Sequence, residues 1–309
     1  MMNTIAWPIW LSFSLLGMAI CAAWYPSTNN IAGAGAAARL RPPPWLLLFG
    51  AAIASGLAAG ILAWIAVLEL ALFGAVAYAA GRDDLARRWR LLSGIVCALM
   101  ALALAMHALP GFNNPVLIAK AQFSPGAAPF TQYANFDKAA VGLILLACLC
   151  RRAASAAQWR DSVRRALPIA AATIVVVMAV ALLIAYVKLD LHLPRYTAVF
   201  IAANILFTCV AEEAFFRGFL QQRLSRALAS TALAASPYGA GIALVGSAVA
   251  FGAVHVGGGP VYVLLATLCG LGYAYAYSAV RRIEASVIVH GAFNIVHFLA
   301  FSYPYLLPL

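Results

Sequence analysis

An all-α, polytopic transmembrane helix bundle is the fold class that the sequence predicts, and three observations predict it. The chain breaks into apolar runs of roughly 20 residues, the length that crosses about 30 Å of hydrocarbon as a helix. Hydrophobic residues fill 65% of the 309 positions and charged residues only 9%, against about 25% charged in an average soluble domain. The arginines gather in short clusters between the runs, as they do in cytoplasmic loops.

The net charge of +11 therefore reads as membrane topology. No nucleic-acid partner is expected, because no basic face with interleaved aromatics exists outside the apolar runs. Cys21, Cys97, Cys148, Cys150, Cys209 and Cys269 lie in or at the ends of apolar runs without a Cys-x-x-Cys pair, and read as small core residues. The first run, Ile5 to Tyr25, has no lysine or arginine before it. A retained helix is expected there in place of a signal peptide, with Trp7, Trp10, Trp24 and Tyr25 as interface aromatics.

The runs fall at about 5–25, 45–80, 91–109, 137–150, 167–187, 196–220, 241–256, 261–280 and 285–303. The run at 45–80 is too long for one ordinary span. Arg39 and Arg41 precede it, and Arg82, Arg87, Arg88 and Arg90 follow it. Two helices must lie between these clusters if both face the cytoplasm, which gives about nine to ten membrane helices in all. Arg151, Arg152, Arg160, Arg164 and Arg165 then fall on the same side, as do Arg223, Arg226, Arg281 and Arg282. The joint from Pro110 to Lys138 reads as an ordinary non-cytoplasmic loop, with a segment folded back onto the membrane surface as the alternative. The basic stretch Arg151 to Arg165 is the internal boundary, between N-terminal helices at 1–165 and a C-terminal core at 166–309. No internal repeat of the kind that builds transporters is visible.

An ionisable group at bilayer depth costs on the order of 2.5–3.5 kcal/mol, so it persists only where it has a partner or a task. Among the acids only Glu69, Glu212 and Glu213 lie inside apolar runs. Glu69 receives no catalytic role; His107 or another N-terminal helix is a candidate partner for it, and a second polar pathway is the alternative. Glu212 and Glu213 point about 100° apart on a helix, so they cannot share one partner. Glu213 and Arg217 are four apart and share a face, which lets them neutralise each other. Glu212 is then left without a local countercharge, facing elsewhere, as a general base requires.

His255 closes Phe251-Gly252-Ala253-Val254-His255, just before Gly257-Gly258-Gly259-Pro260. His290 and Asn294 are four apart and project from one face, where two donors could hold an oxyanion. His297 follows on the same stripe and reads as interfacial.

Glu-Glu-x-x-x-Arg, then Phe-x-x-x-His, then His-x-x-x-Asn resembles the motif set of the CPBP family. These are CAAX-processing and bacteriocin-processing intramembrane proteases, the Rce1-like prenyl-protein proteases among them. The set reads here as Glu212, Glu213 and Arg217; Phe251 and His255; His290 and Asn294, and the resemblance covers roughly 167–309. It implies an intramembrane endopeptidase with a polar cavity in the membrane. Glu212 and His255 would activate water, His290 and Asn294 would hold the oxyanion, and Glu213 and Arg217 would position the motif helix. The implied substrate is a protein or peptide with a membrane-associated segment. No metal is expected. A zinc alternative would use Glu212, His255 and His290, but no His-Glu-x-x-His helix favours it.

The competing readings are an ion- or proton-coupled transporter and a catalytically silent scaffold. A serine enzyme of the rhomboid type lacks its Gly-x-Ser-Gly element here. The Ala- and Arg-rich composition suggests a bacterial cytoplasmic membrane. Straight up-and-down threading creates one difficulty. It puts Glu212 near a cytoplasmic helix end and His255 near an outer one, roughly 15 Å or more away. The residues can share a site only if a helix is long, tilted or broken, and Gly257–Pro260 is a candidate break.

Overall fold

The computed structural model describes residues 6–25, 42–229, 231 and 238–307, so Arg39 and Arg41 lie outside the described residues. Each apolar run becomes a helix, and the long run becomes two. In chain order these are α1 (Trp7–Ala22), α2 (Pro44–Ala58), α3 (Trp64–Gly81), α4 (Arg87–Ala105), α5 (Phe136–Leu149) and α6 (Ala156–Leu183). They are followed by α7 (Thr197–Leu228), α8 (Tyr238–Ala253), α9 (Gly259–Val280) and α10 (Ile283–Ala300). Among the described residues six helices are long and apolar enough to cross a membrane: α3, α4, α6, α7, α10, and α9 with the turn before it. Helices α1, α2 and α8 are apolar but shorter.

Local chemistry sets many of the ends. Pro8 and Pro44 stand in the first turns of α1 and α2, where their missing N–H is no loss. Ser155 caps α6, its hydroxyl accepting from the Gln158 N–H at 3.3 Å. The basic stretch before residue 166 thus opens a 28-residue helix that continues without interruption. After α3, Arg82 Nε donates to Asp84 at 2.8 Å. That hydrogen bond holds the Asp84 carboxyl down at about 2, so this loop keeps its charges. Leu72, Leu99, Val175 and Val176 are exposed, as expected of side chains that face lipid tails in a membrane-spanning bundle.

Two compact units divide the chain, each assembled from several stretches. The first holds residues 1–116, 133–149 and 206–211. Within it Ser12 Oγ donates to the Ala52 carbonyl at 2.8 Å, tying α1 to α2. The break between α2 and α3 is fixed by Ala63 N–H to the Gly111 carbonyl and Asn113 N–H to the Ile61 carbonyl, at 2.9 and 2.8 Å. His107 pairs with Asp137 at 2.6 Å. His107, the candidate partner of Glu69, is thus engaged elsewhere: Asp137 is buried at the start of α5, where the N-terminal dipole favours an acid, and it captures the imidazole.

The second unit holds residues 117–132, 150–205 and 212–309. Here α10 packs on α6 and α9, α9 packs on α6 and α8, and α8 packs on part of α7. The Pro110–Lys138 joint is not an ordinary loop. It contains the two-stranded sheet of β1 (Val116–Ala121) and β2 (Phe130–Tyr133). The rings of Phe123 and Phe130 pack against Phe298 and Tyr303, at 5.1 and 5.0 Å. Phe200 and Phe298 stack at 3.9 Å beneath them. The C-terminal tail joins through Ala128 N–H to the Tyr305 carbonyl, at 2.9 Å.

Helix α8 approaches α9 at Gly252, where a Cβ would come within 1.9 Å of Thr267 Oγ1 and 2.9 Å of the Val263 carbonyl. Small residues permit such close packing in membranes. Gly252→Val should therefore lower the thermal midpoint in detergent by several degrees and move His255, three residues on. An unchanged melting curve would show that the two helices separate at no cost.

Candidate active site

Helix α7 carries the motif glutamates in an unusual winding. It is π-helical over Asn204–Cys209 and again over Ala214–Gln221, with one α turn, Val210–Glu213, between. Wide turns of this kind are rare and concentrate at functional sites. They release carbonyls from the regular ladder, and side chains take these up. Ser247 Oγ donates to the Phe216 carbonyl at 2.8 Å, and Cys150 Sγ to the Ala214 carbonyl at 3.8 Å. Gln221 Nε2 donates to the Ala274 carbonyl and to Ser278 Oγ, at 3.1 and 2.8 Å, pinning the end of the winding to α9.

The glutamates divide as their spacing predicts. Glu213 Oε2 and Arg217 Nε lie 3.2 Å apart, and both side chains are 0% exposed. Arg217 Nη2 also donates to the Gly270 carbonyl at 2.9 Å. Its guanidinium rests over the rings of Phe251 and Tyr273, at 4.9 and 5.6 Å, a favourable setting for a desolvated cation. Glu212 keeps 14% exposure. It sits midway along a 32-residue helix and not near its cytoplasmic end. The expected depth is corrected because α7 runs on through Arg217 and Gln221, which the rest of the unit buries.

His290 stands between the two acids. Its Nδ1 is 2.8 Å from Glu213 Oε1, and its Nε2 is 3.9 Å from Glu212 Oε2. A carboxylate paired with arginine can only accept, so Nδ1 carries the proton. In a neutral imidazole Nε2 would then be the acceptor. The imidazolium presents N–H on both sides, and only this form donates in the direction of Glu212. Tyr273 stacks on the imidazole at 4.4 Å with 15° between the planes, fixing its tilt. Four residues on, Asn294 Nδ2 donates to Asn204 Oδ1 at 2.9 Å.

His255 joins the group through Phe251. Its Nδ1 lies 2.7 Å from the Phe251 carbonyl. The Phe251 ring is 4.8 Å from the His255 ring and 5.8 Å from the His290 ring. Tyr262 lies 5.4 Å from His255 and within electrostatic range of Glu212. Straight threading would have kept these imidazoles far apart, yet they flank a single phenyl ring. His255 lies one turn after Phe251, just past the end of α8 at Ala253; a short 3-10 turn then covers Val256–Gly258, and α9 begins at Gly259. Gly259 holds φ +85°, a conformation that side-chain-bearing residues rarely adopt. His297 lies outside the cluster, its ring 5.0 Å from Tyr303.

Glu212, Glu213, Arg217, Phe251 and His290 are thus brought together directly, with His255 and Asn294 adjoining through Phe251 and Asn204. Among the described residues no three His, Cys, Asp or Glu side chains are placed to hold one metal ion. Three neighbours carried no sequence signal. Asn204 is a lone amide in an apolar run, Tyr273 is one of several tyrosines on α9, and Gly270 contributes only its carbonyl.

Residues 194–296 match the family model described as type II CAAX prenyl endopeptidase Rce1-like. This segment is similar to the Rce1-like endopeptidases. It spans roughly a third of the chain, from just before α7 into α10, and contains all seven motif residues. The apolar helices and the Rce1-like match support an integral, multi-pass membrane protein, and the match supports a CAAX-type intramembrane endopeptidase in general terms. It implies a membrane-associated protein or peptide as substrate. Searches against curated proteins and against solved structures gave no match.

Proposed function

We propose that the protein cleaves a membrane-anchored protein or peptide by direct attack of water, without a metal, in a bacterial cytoplasmic membrane. The observation that carries this reading is the division of labour between adjacent acids. Glu213 is sealed in an ion pair with Arg217, whereas Glu212 is partly open and faces His290.

Glu212 takes a proton from water as the oxygen attacks the scissile carbonyl carbon. His255 shares in activating that water. The carbonyl π pair moves onto oxygen, and Asn294 Nδ2 and the His290 imidazolium donate to the oxyanion. The intermediate collapses, the C–N bond breaks, and Glu212 returns its proton to the leaving amine. Glu213, Arg217 and Tyr273 take no part in bond making and hold His290 in place.

Purified protein and a peptide bearing one membrane-spanning segment test the proposal. Cleavage at a defined bond is expected, and so is survival of activity in a strong chelator. Loss of activity restored by added zinc would replace the water mechanism with a metal one. Proton or ion flux in vesicles without cleavage would replace the peptidase with a transporter.

A further inference from the structure

We infer that Asn204 is a positioning residue of the oxyanion site, and that it sets the direction of the Asn294 amide; this rests on the peptidase reading above. Asn204 is 8% exposed, and its Oδ1 accepts from Asn294 Nδ2 at 2.9 Å. A buried amide oxygen without a donor is costly, so this bond is strongly held. The Asn294 nitrogen bears two N–H groups. Anchoring one of them fixes the plane of the amide, and with it the direction of the other.

The position of Asn204 on α7 strengthens the argument. It is the first residue of the first π-helical stretch. Its neighbour Ile205 packs against α10 at Gly291, where an added Cβ would lie 3.5 Å from Ile205 Cγ1. Helix α10 is therefore clasped to α7 at two levels, by Asn204 on Asn294 and by Glu213 on His290. The clasps lie nine residues apart on α7 and four apart on α10. At the α-helical rise these spans are about 13 Å and about 6 Å. Wide turns on α7 and the reach of the Glu213 side chain make up the difference. The same winding that lets Glu213 reach His290 brings Asn204 to Asn294, so both proposed oxyanion donors depend on it.

The experiment is a double-mutant cycle on purified protein with the membrane peptide. Asn204→Leu keeps the size of the side chain but removes the acceptor. It should lower kcat by about tenfold to a hundredfold with KM unchanged. Asn204→Thr keeps an acceptor oxygen on a short uncharged side chain and should recover part of that loss. Asn204→Leu added to Asn294→Ala should cost little beyond Asn294→Ala alone, because the two residues act as one. Additive losses, or a change confined to KM, would overturn the assignment. Should Asn204→Leu not accumulate as folded protein, Asn204→Ala gives the same reading, since it too removes the acceptor. The reference is Glu212→Gln: cleavage that survives it counts against the peptidase mechanism itself, whereas additivity in a peptidase dependent on Glu212 counts against Asn204 alone.

Discussion

Glu212→Gln should reduce kcat by about 10²–10⁴-fold, the range in which a positioned acid–base group contributes. The substitution removes the proton acceptor and keeps the shape. Glu212 lies off the sealed ion pair and is 14% exposed, so its neutralisation leaves the packing of α7 untouched. The thermal midpoint in detergent should stay close to that of the unaltered protein, and a substrate-binding assay should report unchanged affinity. A variant that still turns over at more than a tenth of the normal rate would remove Glu212 from the role of base. Glu213→Gln is the informative contrast. Its acid contacts Arg217 and His290 and no solvent, so stability and activity should fall together.

Arg217→Leu should be the most destabilising single change at the site. Removing one partner of a fully buried ion pair strands the other charge and costs about 3–5 kcal/mol. Here the stranded group would be Glu213, and the change would also remove the donor to the Gly270 carbonyl and the cation beneath Phe251. Lower yield of folded protein and a markedly lower thermal midpoint are expected. Combining it with Glu213→Gln should recover part of the midpoint, because no orphan charge remains, while activity stays low because His290 has lost its carboxylate. Equal midpoints for Arg217→Leu and the unaltered protein would mean that the pair is dispensable.

The helices were legible because membranes impose length and apolarity, which are properties of single segments. Dividing 45–80 into α2 and α3 needed only the placement of arginine clusters. The ion pair of Glu213 and Arg217 was legible for a similar reason, since an i, i+4 spacing is local. What escaped was everything fixed by partners distant in sequence. The β1–β2 hairpin is held by Phe298 and Tyr303, more than 150 residues away, and nothing in Phe123 or Phe130 announces them. Asn204 gains its meaning only from Asn294. Straight spans left the meeting of His255 with the other motifs open, because it depends on Phe251, whose ring lies against both imidazoles.

The wide turns of Ala214–Gln221 make residue count, more than residue identity, the property that this helix protects. Substitutions there alter one side chain each. Deleting a single residue while the wide turns persist would rotate everything beyond the deletion by about 100°. Gln221 would leave Ser278, and the lock between α7 and α9 would open although every side chain of the lock was still encoded. A scan of single-residue deletions through this stretch would locate the part of the chain least tolerant of a change in length.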